Sequence, residues 1–372
     1  MHILVLPSWY PTPSDPIRGS FFAEQAEALS RYGHKVSVIA LERDAESGIR
    51  TEVTRRGDVT EYRLHYAALP FRLTFVRIAR ALTGLFSTVF RSERPDILHV
   101  HSFGAIRYAR LISSLYRIPF VVTEHVSWFE RGLLSEKDLR GISADYRRAA
   151  AVIAVSRGLA DRIAPLCAQP VRVVPNVVDD RFFRTDLERA EGDVFHFLSI
   201  GSLDTNKGMD ALLRAFAGAR KTCPATDLTI AGDGPEREAL AALAGELGIA
   251  EAVRFTGRVS REKCAELYAA CGAFVLASRV ETFGLVLAEA MACGRPVIMT
   301  DTGARRDLVT EDTGLFAGID DIGALARAMT VIAGDPHRYD PGKIRAYCAE
   351  HFSARSVCGE LTKIYEEILG RS

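Results

Sequence analysis

The chain has 372 residues, of which 48% are hydrophobic and 25% charged, a composition that fits a globular protein and excludes a disordered or fibrous one. Its 47 basic and 47 acidic side chains cancel, so the net charge says nothing about partners, and we expect no nucleic acid among them. A chain of this length exceeds one ordinary hydrophobic core and predicts two domains.

The seven cysteines show no C-x-x-C spacing, which disfavours a disulfide framework or a zinc site and favours a reducing compartment. The first apolar run, Ile3–Leu6, stops at Pro7 and is shorter than the apolar core of a signal peptide. No stretch reaches the roughly 18 apolar residues of a membrane span. We therefore expect a cytoplasmic protein.

In the first half, short apolar runs predict strands, and amphipathic runs such as Phe21–Tyr32 predict helices between them. This alternation favours βαβ units and a parallel sheet. The candidate strands are His2–Leu6, Lys35–Ala40, Ile97–His101, Phe120–Thr123, Ala151–Val155 and Val171–Val174.

The second half repeats the pattern after a polar segment at 184–193, with helices such as Met209–Arg220. Its candidate strands are Phe195–Gly201, Leu228–Ala231, Val253–Phe255, Ala273–Leu276 and Pro296–Thr300. We predict an α/β fold of two doubly wound parallel-sheet (Rossmann-like) domains, 1–183 and 184–353, that face a cleft. Ligands of such sheets bind at the carboxyl ends of the strands.

The loop after the first strand lacks both the G-x-G-x-x-G and the P-loop pattern, so a dehydrogenase or a P-loop enzyme has no support. It ends in Arg18-Gly19-Ser20 before a helix, where a phosphate could approach free backbone N–H groups. A glycine that serves only the turn is an equally good interpretation. His125 follows the strand Phe120–Thr123 and is either a site residue or a histidine packed in a domain interface.

Lys207 and Gly208 end the loop after the first strand of the second half, directly before a helix. A lysine at this place can reach a diphosphate as a point charge, and a solvated surface lysine is the alternative. The next strand leads into Gly232-Asp-Gly-Pro235, which we interpret as turn chemistry alone.

Glu289 is the only polar residue between Phe283 and Cys293, and Glu281 stands just before that apolar run. We expect a helix that begins at Thr282 or Phe283, whose free N–H groups and positive dipole end suit a diphosphate. A buried carboxylate without a partner would be costly, but hydroxyls of a sugar or ribose would satisfy it. The alternative is that Glu289 lies at the wet edge of a packed helix.

These motifs resemble those of glycosyltransferase family 4, the retaining nucleotide-sugar glycosyltransferases with two Rossmann domains (GT-B architecture), over essentially the whole chain. The most specific motif is E-x7-E, here Glu281 to Glu289, followed by AMACGRPVI. Other segments that follow in the family order are RYGHKVSVI, PDILHVHS, VVTEH, VPNVVDDRF, LSIGSLDTNKG, AGDGPERE and FTGRVSREK.

The resemblance implies that Glu281 binds the donor sugar, that Glu289 binds the ribose, and that the backbone near Arg258 reads the base. It also implies that the helix Ala354–Leu369, in the last segment 354–372, packs back on the first domain. The candidate residues are, for catalysis, Glu281, His125 and Lys207, and, for donor binding, Gly19, Ser202, Lys207, Arg258, Val259, Thr282, Phe283, Gly284, Leu285, Val286 and Glu289.

Three positions depart from the family pattern and indicate an unusual donor or acceptor. Ser202 stands where many members have an arginine that binds the diphosphate, so more of that duty falls to Lys207. Val177 replaces the glycine of P-N-G-V-D, and the common G-G-x-P-E reads GARRD at Gly303–Asp307.

We therefore expect retaining transfer of a hexosyl or N-acetylhexosaminyl group from a nucleoside diphosphate sugar to an acceptor hydroxyl, in the synthesis of a cell-surface polysaccharide or glycolipid. Lys207 and the helix start would stabilise the leaving diphosphate, with Gly19 on the facing domain, and we expect no metal, other cofactor or general base. A sugar-nucleotide epimerase of the same fold is the alternative, and a sugar-binding module is the non-enzymatic one.

The segment 70–95 is amphipathic and carries five arginines against one acidic residue. This pattern suits a helix on anionic lipid, which would place a glycan or lipid-linked glycan acceptor at the inner face of the membrane. We prefer the simpler interpretation that the helix packs on the first-domain sheet with its arginines in water.

Overall fold

The computed structural model describes residues 1–44, 48–67, 70–185 and 192–370, without the side chains of residues 71 and 72. These residues form two compact units. Unit 1 comprises Met1–Val155, Leu159–Val177 and Ala354–Ser372, and unit 2 comprises Ser156–Gly158 and Val178–Ser353.

The chain up to Val177 builds an eight-stranded sheet with the order β3-β4-β2-β1-β5-β6-β7-β8, in which only β3 and β4 pair antiparallel. The strands β1, β5, β6 and β7 are fully buried, as expected of parallel strands. The elements are β1 (His2–Pro7), α1 (Ser20–Arg31), β2 (Lys35–Asp44), β3 (Ile49–Arg56), β4 (Val59–Ala67), α2 (Phe71–Thr88), β5 (Ile97–His101), α3 (Ile106–Tyr116), β6 (Phe120–Glu124), α4 (Glu136–Tyr146), β7 (Ala151–Ala154), α5 (Arg157–Ile163) and β8 (Arg172–Val173).

The chain from Val178 builds a six-stranded sheet with the order β11-β10-β9-β12-β13-β14, in which every pair of neighbours is parallel. The elements are α6 (Asp180–Phe183), β9 (Phe195–Ile200), α7 (Met209–Arg220), β10 (Thr226–Ala231), α8 (Arg237–Glu246), β11 (Val253–Gly257), α9 (Arg261–Ala270), β12 (Ala273–Leu276), α10 (Leu285–Ala292), β13 (Val297–Thr300), α11 (Arg305–Leu308), β14 (Gly314–Ala317), α12 (Ile322–Gly334), α13 (Pro341–Phe352) and α14 (Ala354–Leu369).

The predicted pair of parallel-sheet α/β domains is confirmed, with strands added at the sheet edges. The hairpin of β3 and β4 escaped prediction because its sequence is largely polar. Its signal was a period-two pattern interrupted by Gly57, which has a φ of 56° in the turn. The short edge strand β14 was missed as well.

The two units divide at Val177 and Val178, earlier in the chain than the expected boundary after Phe183. Val178 donates its N–H to the carbonyl of Phe352 (2.9 Å), and the Phe182 ring packs against Tyr268 (5.7 Å between centroids). The segment 178–183 is therefore part of unit 2. Most of the linker predicted at 184–193 lies outside the described residues.

Helix α14 completes the core of unit 1. Leu361 and Tyr365 belong to the same buried cluster as Val5 and Leu29, and the Tyr365 hydroxyl is 2.6 Å from Nδ1 of His99 on β5.

Helix α2 lies within the segment 70–95 and buries Ile78, Leu82 and Phe86, while Leu73 and Val76 are exposed. It packs against β4 and α3, in line with the interpretation we preferred. No helix among the described residues is long and apolar enough to cross a membrane. Contact of this segment with a membrane surface stays a prediction.

Candidate active site

The loop after β9 is shaped by a turn that Asp204 caps and by a glycine at its end. The Asp204 carboxylate accepts the N–H of Asn206 (2.9 Å), and this hydrogen bond caps the short turn that carries Lys207. Gly208 has a φ of 60°, and a Cβ there would lie 2.1 Å from the carbonyl oxygen of Ala277. Only glycine therefore lets this loop pack so closely on the segment after β12.

The loop after β12 leads into α10, which begins at Leu285 rather than at Thr282 or Phe283. Thr282 and Phe283 form a bend before the helix, and the Phe283 ring is buried against Phe352 (5.5 Å between centroids). Gly284, with a φ of 79°, precedes the first helical residue, and no side chain caps the helix. The amide groups at this end are thus available to an anion.

Lys207 and Glu281 meet where the two loops come together. Nζ of Lys207 lies 2.8 Å from Oε2 of Glu281, and Ser278 donates a longer hydrogen bond to the same oxygen (3.4 Å). Burial opposes the charge of Lys207, yet Glu281 holds the pKa of Lys207 above its ordinary value. A Cβ at Gly284 would lie 3.4 Å from Cγ of Glu281, so the ion pair stands beside the start of α10.

Arg279 ties the same two loops together, and sequence reasoning missed it. Its N–H donates to the carbonyl of Asn206 (2.7 Å), and its guanidinium pairs with Asp210 (3.0 Å) and Asp320 (2.9 Å). The Asn206 amide donates in return to the carbonyl of Val280 (3.1 Å). The ion-pair partners of Arg279 are far away in sequence, so no short-range pattern pointed to this arginine.

Glu289 is 1% exposed, so it does not lie at a wet helix edge. Arg261 donates to Oε1 (2.5 Å), and the Tyr268 hydroxyl donates to Oε2 (3.0 Å). Burial, followed by the nearby carboxylate, raises the pKa of Tyr268 well above its usual value, so its hydroxyl stays protonated. Both partners lie on α9, and no motif of the sequence pointed to either of them.

The remaining candidates of unit 2 lie at the same edge of its sheet without joining the ion pair. Ser202 donates instead to Asp204 (2.5 Å). Arg258 and Val259 follow β11, and Arg258 is exposed. No hydrogen bond within the described chain links Arg258 to Lys207 or Glu281.

In unit 1, His125 belongs to a buried group of three histidines, of which His99 and His101 lie on β5 and His125 directly follows β6. Its Nε2 lies 3.0 Å from Nδ1 of His101, while His99 contacts Thr123 (2.7 Å) and Tyr365 (2.6 Å). Burial lowers the pKa of His125 to about 3 and that of His99 to about 3, and it lowers the pKa of His101 as well. His125 is therefore a neutral hydrogen-bonding group near pH 7.

Glu124 fixes the backbone around His125. Its buried carboxylate accepts the N–H groups of Phe103 (3.0 Å), His125 (2.9 Å) and Val126 (3.1 Å) and the hydroxyl of Tyr146 (2.8 Å). Burial raises the pKa of Glu124 despite these bonds. The loops after β5 and β6 are thus held to one side chain.

Gly19 immediately precedes α1 and has a steric reason to be glycine. Its φ is 77°, and a Cβ would lie 2.9 Å from Cδ1 of Trp9. The rings of Phe21 and Phe22 in the first turn of α1 lie 5.4 Å and 4.9 Å from the His125 ring. The structure thereby brings the start of α1 close to His125, while phosphate binding at Gly19 stays a prediction.

Among the described residues, no three or more histidine, cysteine, aspartate or glutamate side chains are arranged to hold a metal ion. All seven cysteines are free thiols.

Two parallel sheets with chemistry-bearing loops at their carboxyl ends define the fold class of the GT-B glycosyltransferases. The structure resembles sucrose-phosphate synthase from Thermosynechococcus elongatus with a TM-score of 0.82 at 21% identity, over 100% of both chains. It also resembles Anabaena HepE in complex with UDP and glucose, with a TM-score of 0.76 at 17% identity, over 99% of this chain and 100% of that one.

The family models place the chain more narrowly. Residues 19–182 match the model described as Glycosyltransferase Family 4, and residues 181–350 match Glycosyl transferases group 1. A D-inositol 3-phosphate glycosyltransferase from Corynebacterium jeikeium is 30% identical over 324 residues, which cover 77% of this chain and 76% of that protein. The chain belongs to glycosyltransferase family 4.

Glycogen synthase from Mycobacterium tuberculosis is 29% identical over 256 residues, 66% of this chain. The match spans only about 62% of that synthase.

Proposed function

We propose that the protein transfers a sugar from a nucleoside diphosphate sugar to an acceptor hydroxyl. The observation that carries this proposal is the Lys207–Glu281 ion pair beside the glycine-led start of α10. The relatives named as glycosyltransferases, and the complex of HepE with UDP and glucose, support it.

Donor binding would divide the ion pair between two parts of the donor. The Lys207 ammonium would turn to the diphosphate, and the Glu281 carboxylate would accept hydrogen bonds from sugar hydroxyls. The free N–H groups at Leu285 and Val286 add the positive end of the α10 dipole. Charge develops on the diphosphate as the glycosidic bond breaks, so these groups would act mainly in the transition state.

Glu289 is proposed to bind the ribose hydroxyls, as the family resemblance implies. Because each of its oxygens already accepts a hydrogen bond, the ribose must share an oxygen with Arg261 or Tyr268, or displace one of them. Arg261 is the more exposed of the two partners, so we expect it to be the one that moves.

His125 is proposed to hold the donor sugar or the acceptor through its neutral imidazole, with Gly19 close to the donor phosphates. Retention of the anomeric configuration is part of the proposal and rests on the resemblance of the E-x7-E motif. The leaving phosphate would then take the acceptor proton, and no side chain acts as general base.

The transferred group is proposed to be a hexosyl or N-acetylhexosaminyl unit, and the acceptor a glycan or lipid-linked glycan of cell-surface polysaccharide or glycolipid synthesis. The free thiols support a cytoplasmic location. Peripheral membrane contact through 70–95 is part of the proposal, and the charge of that segment supports it.

A thermal-shift screen of UDP, GDP, ADP and dTDP and their sugars, with and without magnesium, tests donor binding. At about 100 times its Kd, a donor should add about 2.7 kcal/mol to the stability of unit 2. Lys207→Met should abolish this shift, whereas the control Lys263→Met, on the exposed face of α9, should keep it.

Turnover of the donor that binds, with and without a panel of glycan acceptors, then tests the reaction. NMR of the product should show the donor's anomeric configuration retained in a new glycosidic bond. Interconversion of the donor without an acceptor would indicate an epimerase, and an intact donor after long incubation would indicate a binding module. Either result contradicts the proposal.

A further inference from the structure

Unit 1 contains a groove of about 530 Å³ at the amino-terminal ends of β5 and β6. One wall is the end of α2 with the segment that leads into β5, and the other is the end of α3. Because β5 and β6 are parallel neighbours, this groove lies at the opposite edge of the sheet from His125. It is therefore separate from the candidate active site.

Three arginines line the groove, namely Arg91, Arg94 and Arg117, and no carboxylate is among the described residues that line it. Arg94 donates to the carbonyl of Tyr116 at the end of α3. No hydrogen bond or ion pair joins Arg91 or Arg117 to another residue in the described parts of the chain. Glu93, between the first two in sequence, pairs with Lys35 instead.

The backbone of Arg117 is unusual in a way that favours a role for its side chain. It ends α3 with a φ of 53°, in the left-handed conformation that glycine or asparagine usually takes at this place. Residues other than glycine cost energy in this conformation, and they cluster at ligand-binding and active sites. A helix end alone does not require an arginine here, since Arg94 already satisfies the Tyr116 carbonyl.

Aromatic and aliphatic side chains form the rest of the groove. The rings of Phe86 and Tyr116 stack at 4.5 Å with an interplanar angle of 22°, and Phe90 lies 4.9 Å from Phe86. Leu115 at the rim is 56% exposed. The groove thus combines unpaired cations with an apolar wall.

We propose that this groove binds a phosphate group that carries a flat or apolar organic portion. Guanidinium groups match phosphate oxygens through charge-assisted, frequently bidentate hydrogen bonds, and the stacked rings would contact the organic part. The volume suits a small ligand or a headgroup. This site does not depend on the proposed sugar transfer. Because Phe86, Phe90, Arg91 and Arg94 lie in the segment 70–95, a lipid ligand here would deepen the peripheral membrane contact proposed above.

A phospholipid headgroup and a soluble phosphate ester both have this chemistry. An experiment with two arms distinguishes between these two ligands. The first arm measures flotation of the full-length protein with phosphatidylcholine vesicles that contain phosphatidylglycerol. The second measures binding of phenyl phosphate, which has no nucleoside, by titration calorimetry. The variant is Arg91→Gln with Arg117→Gln, and the control is Arg147→Gln with Arg162→Gln, which removes the same charge from exposed positions of unit 1.

We expect the wild type and the control to bind in at least one arm. The affinity of the groove variant should be lower by about tenfold or more. Flotation alone would assign a lipid headgroup, and calorimetric binding would assign a soluble ester. The far-ultraviolet circular dichroism and the melting temperature of the groove variant should equal those of the wild type, which shows that it is folded. Absence of binding by the wild type in both arms, or equal binding by the groove variant, would overturn the proposal.

Discussion

Glu289 shows how one carboxylate can be buried in an apolar helix. A buried charge without partners is strongly destabilising, whereas one that is paired and fully hydrogen-bonded is tolerated. Arg261 supplies the charge and Tyr268 the second hydrogen bond, both from α9. The same carboxylate therefore links α10 to α9 before any donor is bound.

Replacement of Glu289 by Gln keeps the shape but removes the charge that faces Arg261. We expect unit 2 to lose about 1–3 kcal/mol in its free energy of unfolding, since hydrogen bonds to charged groups are worth this much. Donor affinity should fall as well, because an amide offers one acceptor oxygen instead of two. Urea unfolding and donor titration by thermal shift measure the two effects.

The matched control is Glu262→Gln, which changes an exposed carboxylate one residue after Arg261. It should leave both quantities close to those of the wild type. If Glu289→Gln also leaves them unchanged, then the buried ion pair contributes little and the ribose assignment is wrong.

Among the loops, the close approach of Gly208 to Ala277 is the contact that sets the position of Lys207. The Arg279 clamp and the Lys207–Glu281 pair both bridge the two loops at this point of close approach. The loop after β9 therefore combines its own turn residues, Asp204 and Gly208, with close packing against the segment after β12.

Gly208→Ala should displace this loop, because the new Cβ would meet the Ala277 carbonyl oxygen and the φ of 60° is unfavourable for alanine. The left-handed conformation and the overpacking together should cost about 2 kcal/mol or more. Denaturant unfolding measures this loss, and the donor-induced thermal shift should shrink with it.

Gly245→Ala is the matched control, since a Cβ at this position in α8 would meet no other atom. It should be neutral or slightly stabilising, as expected for alanine in a helix. Equal effects of the two substitutions would show that the close approach at Gly208 is unimportant.

Across the whole chain, the two units differ in how they should respond to acid. Unit 1 buries His99, His101 and His125, whereas the described histidines of unit 2 are exposed. Buried neutral histidines resist protonation until the protein unfolds. The acid sensitivity of the molecule should therefore originate in unit 1.

The direction in which stability changes with pH follows from the lowered pKa values, which are about 3 for His99 and His125 against about 6.5 in the unfolded chain. Between these values the unfolded state binds more protons, so stability is full above about pH 6.5 and falls as the pH decreases. At pH 5, His99 and His125 should each lower the free energy of unfolding by about 2 kcal/mol. The raised pKa of Glu124 has the opposite effect on the pH dependence of stability, but it comes from one group only.

Hydrogen exchange at pH 7.5 and pH 5, corrected for the intrinsic rates, measures this difference unit by unit. Protection of β1 and β5 in unit 1 should fall much more than that of β9 and β12 in unit 2. A parallel loss in both units would contradict the assignment. A shallower pH dependence in His99→Gln would support it.

The sequence alone established the alternation of strands and helices, the two parallel sheets, and the loops that carry Lys207, Glu281 and His125. These features are encoded locally, because hydrophobic periodicity and turn residues act over a few neighbouring positions. The hairpin of β3 and β4 was within reach of the same reasoning, but polar residues hid its period-two pattern.

The start of α10 at Leu285, the Arg279 clamp and the partners of Glu289 became visible only in the folded chain. The sheet order places β12 directly beside β9, so loops far apart in sequence meet at one edge. The three buried histidines also have neighbours that are far apart in sequence, since their pKa values depend on packing against β5, β6 and α14. Such contacts have no short-range sequence signal, because chain topology and packing create them.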